Sequence, residues 1–223
     1  AQQMVRAIWC ISYLAERWAD YYDQVNNLDH PIWLDFRIVL RKTRPRIVGV
    51  STSIITIAST KVIAQLVRDE LPEAVVVVGG PAATTCPKEL IHHEAIDYLV
   101  LGEGEITFSE LASFILGRSG HPAGVRDIAG LMYRANSSVV TTPKRPLIAD
   151  LDTIPFPDRE SMFILGKKET LLPVHSNADV LASRGCPYPC KFCGAFATWG
   201  TRRTRFRGVD HIVAELVHLN RDY

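Results

Sequence analysis

The 223-residue chain sets 25 Lys and Arg against 24 Asp and Glu, and 47% of its residues are hydrophobic. A formal charge of +1 gives no global pull toward nucleic acid or a membrane surface, and this balance excludes a disordered or collagen-like chain. No apolar run approaches the roughly 18 residues of a transmembrane helix, and AQQMVRAIWC lacks the ordered regions of a signal peptide, so a cytoplasmic protein is expected. A start at Ala1 points to a missing upstream piece.

From Arg46 onward two periods alternate. RIVGVSTS reads as a short β-branched strand ending in Ser51, Thr52 and Ser53, and STKVIAQLVRDEL as a helix with Val62, Ile63, Leu66 and Val67 on one face. AVVVVGGP is a nearly continuous apolar run, as in a strand buried on both faces of a parallel sheet, closed by Gly79 and Gly80. CPKELIHHE predicts a short helix, AIDYLVLGEGE a strand entering the loop at Gly102 and Glu103, and ITFSELASFIL a helix carrying Ile106, Leu111, Phe114 and Ile115. This order implies an α/β fold with a doubly wound parallel sheet. Ligands of such sheets bind beyond the carboxyl ends of the strands, where loops and helix N-termini converge. Three loops with Ser or Gly at that edge favour a ligand over turns alone, and neither a GxGxxG nor a GxxxxGK[ST] motif is present.

GLMYRANSSVVTTP predicts a hairpin about an Asn136-Ser137 turn. A stretch with Pro143, Pro146, Pro155 and Pro157 follows, and the expected domains are 1–145, a Pro-rich linker over 146–178, and 179–223. DVLASRG reads as a new strand and GVDHIVAELVHLNRDY as a helix with Ile212, Val213, Leu216 and Val217 on one face.

Between them, ASRGCPYPCKFCGAF places Cys186, Cys190 and Cys193 in a CxxxCxxC pattern. Thiolates so spaced can wrap one inorganic centre, and thiolate is the soft ligand that iron-sulfur clusters and zinc select. The spacing favours an iron-sulfur cluster. Zinc stays open, although neither His175 nor His211 completes a familiar four-ligand pattern, and a disulfide leaves an odd thiol. Cys10 and Cys86 have no such context.

The loop resembles the signature of the radical S-adenosylmethionine superfamily, CxxxCxΦC, with Phe192 in the aromatic slot. The resemblance implies a [4Fe-4S] cluster on Cys186, Cys190 and Cys193. Its open iron would chelate S-adenosylmethionine, Phe192 would lie against the adenine, and reductive cleavage would give a 5'-deoxyadenosyl radical. The succession VGVSTS, VVVVGGPAAT, LGEGE, GLMYR, RPLIADLDTIPFPDR and SRGCPYPCKFC is similar over nearly the whole chain to the cobalamin-binding subgroup. That likeness implies cobalamin at the strand ends, with Ser51, Thr52, Ser53, Gly79, Gly80, Gly102 and Glu103 as contacts.

The chain departs from the classical cobalamin domain in lacking DxHxxG, which makes His30 and His211 expected surface residues. Thirty residues follow Cys193, whereas a complete (β/α)₈ barrel takes about 250, so the chain is expected to end after the first βα unit and to be inactive alone. RRTRFR is read as a solvated or cofactor-facing loop rather than a phosphate clamp, with Trp199 and Phe206 packed. The implied function is radical methylation of an unactivated carbon, methylcobalamin supplying the methyl group. The alternatives are a radical cyclase or rearranging enzyme, and a corrinoid-binding module with a structural cluster. The expected partners are a small-molecule substrate and an external electron donor; neither nucleic acid nor a membrane is expected.

Overall fold

The computed structural model describes residues 19–120, 122–136, 138–159 and 178–222. Cys10 and His175 lie outside them. β1 (Ile47–Ser51), β2 (Val75–Gly79) and β3 (Tyr98–Val100) are parallel. β4 (Leu131–Ala135) and β5 (Ser138–Thr141) extend the same sheet as an antiparallel hairpin, in the consecutive order β1-β2-β3-β4-β5. The hairpin turns where expected: Asn136 has φ 55, a left-handed conformation that Asn tolerates better than most residues, while Ser137 lies outside the described residues.

Strand β2 explains why the sheet is covered on both sides. Successive side chains alternate between faces, so Val76 and Val78 enter one core cluster and Val77 the other, each at most 2% exposed. On the first face pack α1 (Pro31–Thr43), α2 (Ile57–Glu70), α3 (Pro81–Thr85) and α4 (Pro87–Ile91), contributing Leu40, Ala64, Val67, Ala83, Leu90 and Ile91. On the second lies α5 (Gly104–Leu116), with Leu111 and Phe114. The α/β fold with helices on both faces agrees with the sequence, although no reversal of strand order occurs among the described strands.

Several side chains sit otherwise than the helical pattern predicts. Val62 and Ile63 are only half-buried, the inner face of α2 running through Thr60, Ala64, Leu66 and Val67. In α5 the buried pair is Thr107 and Leu111, four residues apart, and Ile106 faces outward. Helix α1 was not anticipated. It begins with Pro31 in its first turn, where a missing N–H costs nothing, and ends at Arg44 in the left-handed region. His30 is its half-buried N-cap rather than a surface residue, its Nδ1 accepting the Ile32 N–H at 3.3 Å. Arg37 and Arg41 then tie α1 to α2 through Glu70, whose carboxyl their hydrogen bonds pull down to about 2.

The described start of the Pro-rich stretch is tied to the sheet domain by the Ile148 N–H, which donates to Glu103 Oε2 at 2.7 Å. Leu151, in a 3₁₀ turn (Leu151–Thr153) capped by the Asp150 side chain, is 2% exposed. The expected strand DVLASRG is ordered as β only at β6 (Ser183–Arg184), which pairs antiparallel with β7 (Arg205–Phe206). A barrel strand needs parallel neighbours to complete its ladder, and among the described residues β7 is the only partner of β6. Helices α6 (Ala195–Trp199) and α7 (Val209–Asp222) complete the described fold. Among the described residues no helix is long and apolar enough to cross a membrane.

Candidate functional site

The parallel register aligns Ser51 with Gly79 and Val78 with Leu99, so the three strand ends stand level at one edge. Backbone bonds lock their loops: Thr52 N–H donates to the Gly79 carbonyl at 2.9 Å, and Ala82 N–H to the Thr52 carbonyl at 3.1 Å. That approach requires Gly80. Its φ of 89 and ψ of −176 belong to a region open essentially to glycine alone. A Cβ there would stand 2.8 Å from both Ser51 Oγ and the Thr52 carbonyl oxygen.

The predicted cobalamin contacts have different surroundings at this edge. Ser51 is exposed, and Ser53 is half-buried at the start of a 3₁₀ turn (Ile54–Thr56), its N–H bonded to Thr56 Oγ1 at 2.9 Å. Thr52 is 1% exposed, and its hydroxyl lies among those of Thr56 and Thr60, at 3.2 and 2.9 Å. Gly79 and Gly80 are half-buried. Gly102 donates its N–H to Thr84 Oγ1 at 2.8 Å. Glu103 is turned inward, its side chain 3% exposed and its carboxylate engaged by protein donors. It accepts from the Ile148 N–H at 2.7 Å, from Arg184 Nη1 at 3.1 Å, and from Arg205 Nη1 and Nη2 at 3.0 and 2.8 Å. Burial pushes the Glu103 carboxyl upward, but the bonds from Arg205, Ile148 and Arg184 outweigh it and hold the group below its ordinary value. Arg184, disfavoured by burial, is carried above its ordinary value by Glu105 and Glu103.

These contacts bring the cysteine loop to the strand ends. Arg184 and Arg205 face each other across β6 and β7, immediately before and after residues 185–204, which contain all three clustered cysteines. Arg184 Nη2 also meets Glu105 Oε1 at 2.5 Å, and α6, within the loop, touches α3, which follows β2. The loop turns sharply at Gly185, with φ 97, where a Cβ would collide with the Arg203 carbonyl oxygen.

Cys186 is half-buried, Cys190 and Cys193 are exposed, and all three are free thiols; the Cys193 N–H donates to the Cys190 carbonyl at 3.2 Å. Among the described residues no three His, Cys, Asp or Glu side chains are drawn together as a metal site. The donor set nonetheless suits a thiophilic centre, since three unpaired thiols share one short loop and a metal can complete its own site by ordering the ligands. Phe192, within the loop, is 92% exposed.

The arginine run divides. Arg202 and Arg203 are exposed, whereas Arg205 and Arg207 point inward on either side of Phe206. Arg207 and Arg159 hold Glu215 of α7, at 2.6 and 2.9 Å, and Glu215 is 1% exposed. With Glu215 turned inward, Val213, Leu216 and Val217 of the apolar face read from the sequence are exposed, and Ile212 is half-buried. Phe206 is 73% exposed rather than packed, while Trp199 is half-buried beneath the Arg184 guanidinium. His211, expected at the surface, is half-buried between Asp152, at 3.2 Å, and Arg207, with the Phe156 ring 4.9 Å away. Gly185, Arg184 and Glu215 are not marked by the sequence reading, and Arg205 enters it only as part of the RRTRFR run. The local signals are that run and SRG before the first cysteine; the carboxylate partners are distant in sequence.

Residues 11–112 match the B12 binding domain. An uncharacterized methyltransferase of Pyrococcus horikoshii is 33% identical over 192 residues, covering 85% of this chain and 40% of its own length. The cobalamin-dependent radical SAM methyltransferase TokK of Streptomyces tokunonensis is 30% identical over 62% of this chain and 20% of its own. The anaerobic magnesium-protoporphyrin IX monomethyl ester cyclase of a Synechocystis strain is 27% identical over 70% and 30% respectively. The chain therefore spans two fifths or less of these relatives. The radical S-adenosylmethionine methyltransferase TsrM of Kitasatospora setae, solved with tryptophan and an S-adenosylmethionine analogue, shares the fold, with TM-score 0.63 and 21% identity over 86% of this chain and 38% of that one. Residues 11–112 form a B12 binding domain, and with a CxxxCxxC loop held against its strand ends the chain is similar to the B12-binding radical S-adenosylmethionine enzymes.

Proposed function

We propose that the chain is part of a cobalamin-dependent radical S-adenosylmethionine methyltransferase acting on a small molecule with electrons from an external donor. The supporting observation is the attachment of the cysteine loop to the carboxyl edge of the sheet through Glu103, Arg184 and Arg205. In this reading 1–145 binds the corrinoid, 146–178 links, and 179–223 opens the catalytic barrel. When bound, the cluster and S-adenosylmethionine supply a 5'-deoxyadenosyl radical, and the corrinoid supplies a methyl group.

The protein supplies position and surroundings. Cys186, Cys190 and Cys193 hold the cluster, and Phe192, already exposed on that loop, offers an aromatic face to adenine. Ser51, Ser53, Gly79, Gly80 and Gly102 lie where the corrinoid approaches. Thr52 shapes that loop from within through its hydroxyl network. Because its carboxylate is engaged by arginines, Glu103 contributes through its backbone or by holding the loop.

Anaerobic reconstitution of the whole methyltransferase that contains this chain with iron, sulfide and hydroxocobalamin, followed by reduction in the presence of S-adenosylmethionine, tests this. A methyltransferase gives both 5'-deoxyadenosine and S-adenosylhomocysteine, with about four iron per chain. Cys190→Ala should abolish iron uptake and both products. Deoxyadenosine alone would favour the cyclase class represented among the relatives. Zinc in place of iron, with neither product, would overturn the reading.

A further inference from the structure

Glu103 is the N-cap residue of α5, yet its side chain makes no capping bond. It is committed instead to three groups distant in sequence: the Ile148 N–H, Arg184 and Arg205. Arg184 and Arg205 are the cross-strand pair at the neck of the 185–204 loop, so one carboxylate holds both strands that carry the cysteines. The neck is tight, because Gly185 lets the chain pass against the Arg203 carbonyl oxygen. The arginine side chains are 13% and 11% exposed.

A buried carboxylate between guanidiniums is a poor means of gaining stability, since well-packed apolar groups commonly do as well. What the planar, forked guanidinium adds is direction: it fixes both distance and angle to the carboxylate. Glu103 is itself fixed, following β3 by a short loop in which the Gly102 N–H is bound to Thr84. The chain of contacts runs without a flexible link from the strand ends to the neck of the cysteine loop.

We propose that Glu103 is a positioning residue whose carboxylate, by clasping Arg184 and Arg205, sets the placement of the cysteine loop over the corrinoid edge of the sheet. The proposal rests on the assignment of those two cofactor sites made above. Glu103 acts through the arginines, not on a reacting atom, and this role is separate from the corrinoid contact expected of it from sequence.

Glu103→Gln tests it, because the amide preserves size and can still accept from Ile148 while losing the charge. Hydrogen exchange of the reconstituted protein should rise about tenfold at 183–184 and 205–207 and stay unchanged at 75–79, as the loss of charge-assisted bonds confined to the neck requires. Iron and corrinoid content should stay at the wild-type level, while the relaxation of the cobalt(II) electron paramagnetic resonance signal by the reduced cluster changes. Arg205→Lys, which keeps the charge but loses the fork, should shift both readouts in the same direction by less, and serves if Glu103→Gln does not fold. Wild-type exchange at the neck, equal loss of protection at the neck and at 75–79, or a loosened neck with unchanged relaxation would each overturn the proposal. A wild-type protein that takes up neither iron nor corrinoid would overturn the cofactor assignment instead, because the exchange readout needs neither.

Discussion

Arg205 Nη2 donates to Glu103 Oε1 at 2.8 Å across 102 positions of sequence, joining the loop after β3 to the strand that closes the cysteine loop. Neither residue is exposed enough for water to replace the other, since their side chains are 11% and 3% exposed. Removing one partner of such a pair leaves an uncompensated buried charge, at a cost of about 3–5 kcal/mol.

The pair should therefore respond to acid in one direction. Glu103 titrates below its ordinary value in the folded protein, because the Arg205, Ile148 and Arg184 bonds outweigh the upward push of burial. A carboxylate lowered by folding contributes stability that is complete above its unfolded value of about 4.3 and is lost as pH falls through the lower folded value. Glu215 shifts the same way, held down by Arg207 and Arg159 against burial. Amide protection of 183–184 and 205–207 should be level from about pH 8 to 5 and fall below about pH 4, earlier than protection of β2. Exchange measured across that range checks it, and in Glu103→Gln the decline should shrink.

Gly80→Ala should damage the corrinoid edge directly. The substitution places a Cβ 2.8 Å from the Thr52 carbonyl oxygen at a φ of 89, in a region that costs about 1–3 kcal/mol before any clash is counted. Urea unfolding should show at least that loss, and hydroxocobalamin uptake should fall with it. Gly194→Ala, where an added Cβ meets nothing within 4 Å, is the control and should leave unfolding unchanged.

No protein histidine should bind cobalt from below. His30 is used at the N-cap of α1, and His211 is engaged by Asp152 and Arg207. Electron paramagnetic resonance of the cobalt(II) protein should lack nitrogen hyperfine splitting from an axial protein ligand. His30→Ala and His211→Ala should leave the spectrum as it is. Splitting that disappears in either variant would contradict this.

Much of the sheet domain was legible because its signals are local. The AVVVV run can be satisfied only by burial on both sides, and β2 is so buried; the glycine and serine endings of β1 and β2 do stand level at one edge. The cysteine spacing is likewise local, a property of eight consecutive positions. Helix α1 was missed although its Pro31 start and the basic Arg41 and Lys42 in its last turn were in view, because its buried contacts reduce to Trp33 and Leu40 and make a thin stripe.

By itself the sequence determined the α/β order, the edge at which a ligand can bind and the thiol set of the loop, since periodicity, turn chemistry and ligand spacing are read over a few residues. Tertiary structure alone decided what the charged residues do. The Glu103 carboxylate is engaged by Arg184, Arg205 and the Ile148 N–H, and half of the RRTRFR run turned inward to meet Glu103 and Glu215. It also turned Val213, Leu216 and Val217 of α7 outward, because burying Glu215 with its two arginines fixed the rotation of that helix. The physical reason is that a charge carries no periodicity announcing its partner. Whether an arginine is solvated or buried depends on a carboxylate that the fold brings to it from up to 102 positions away.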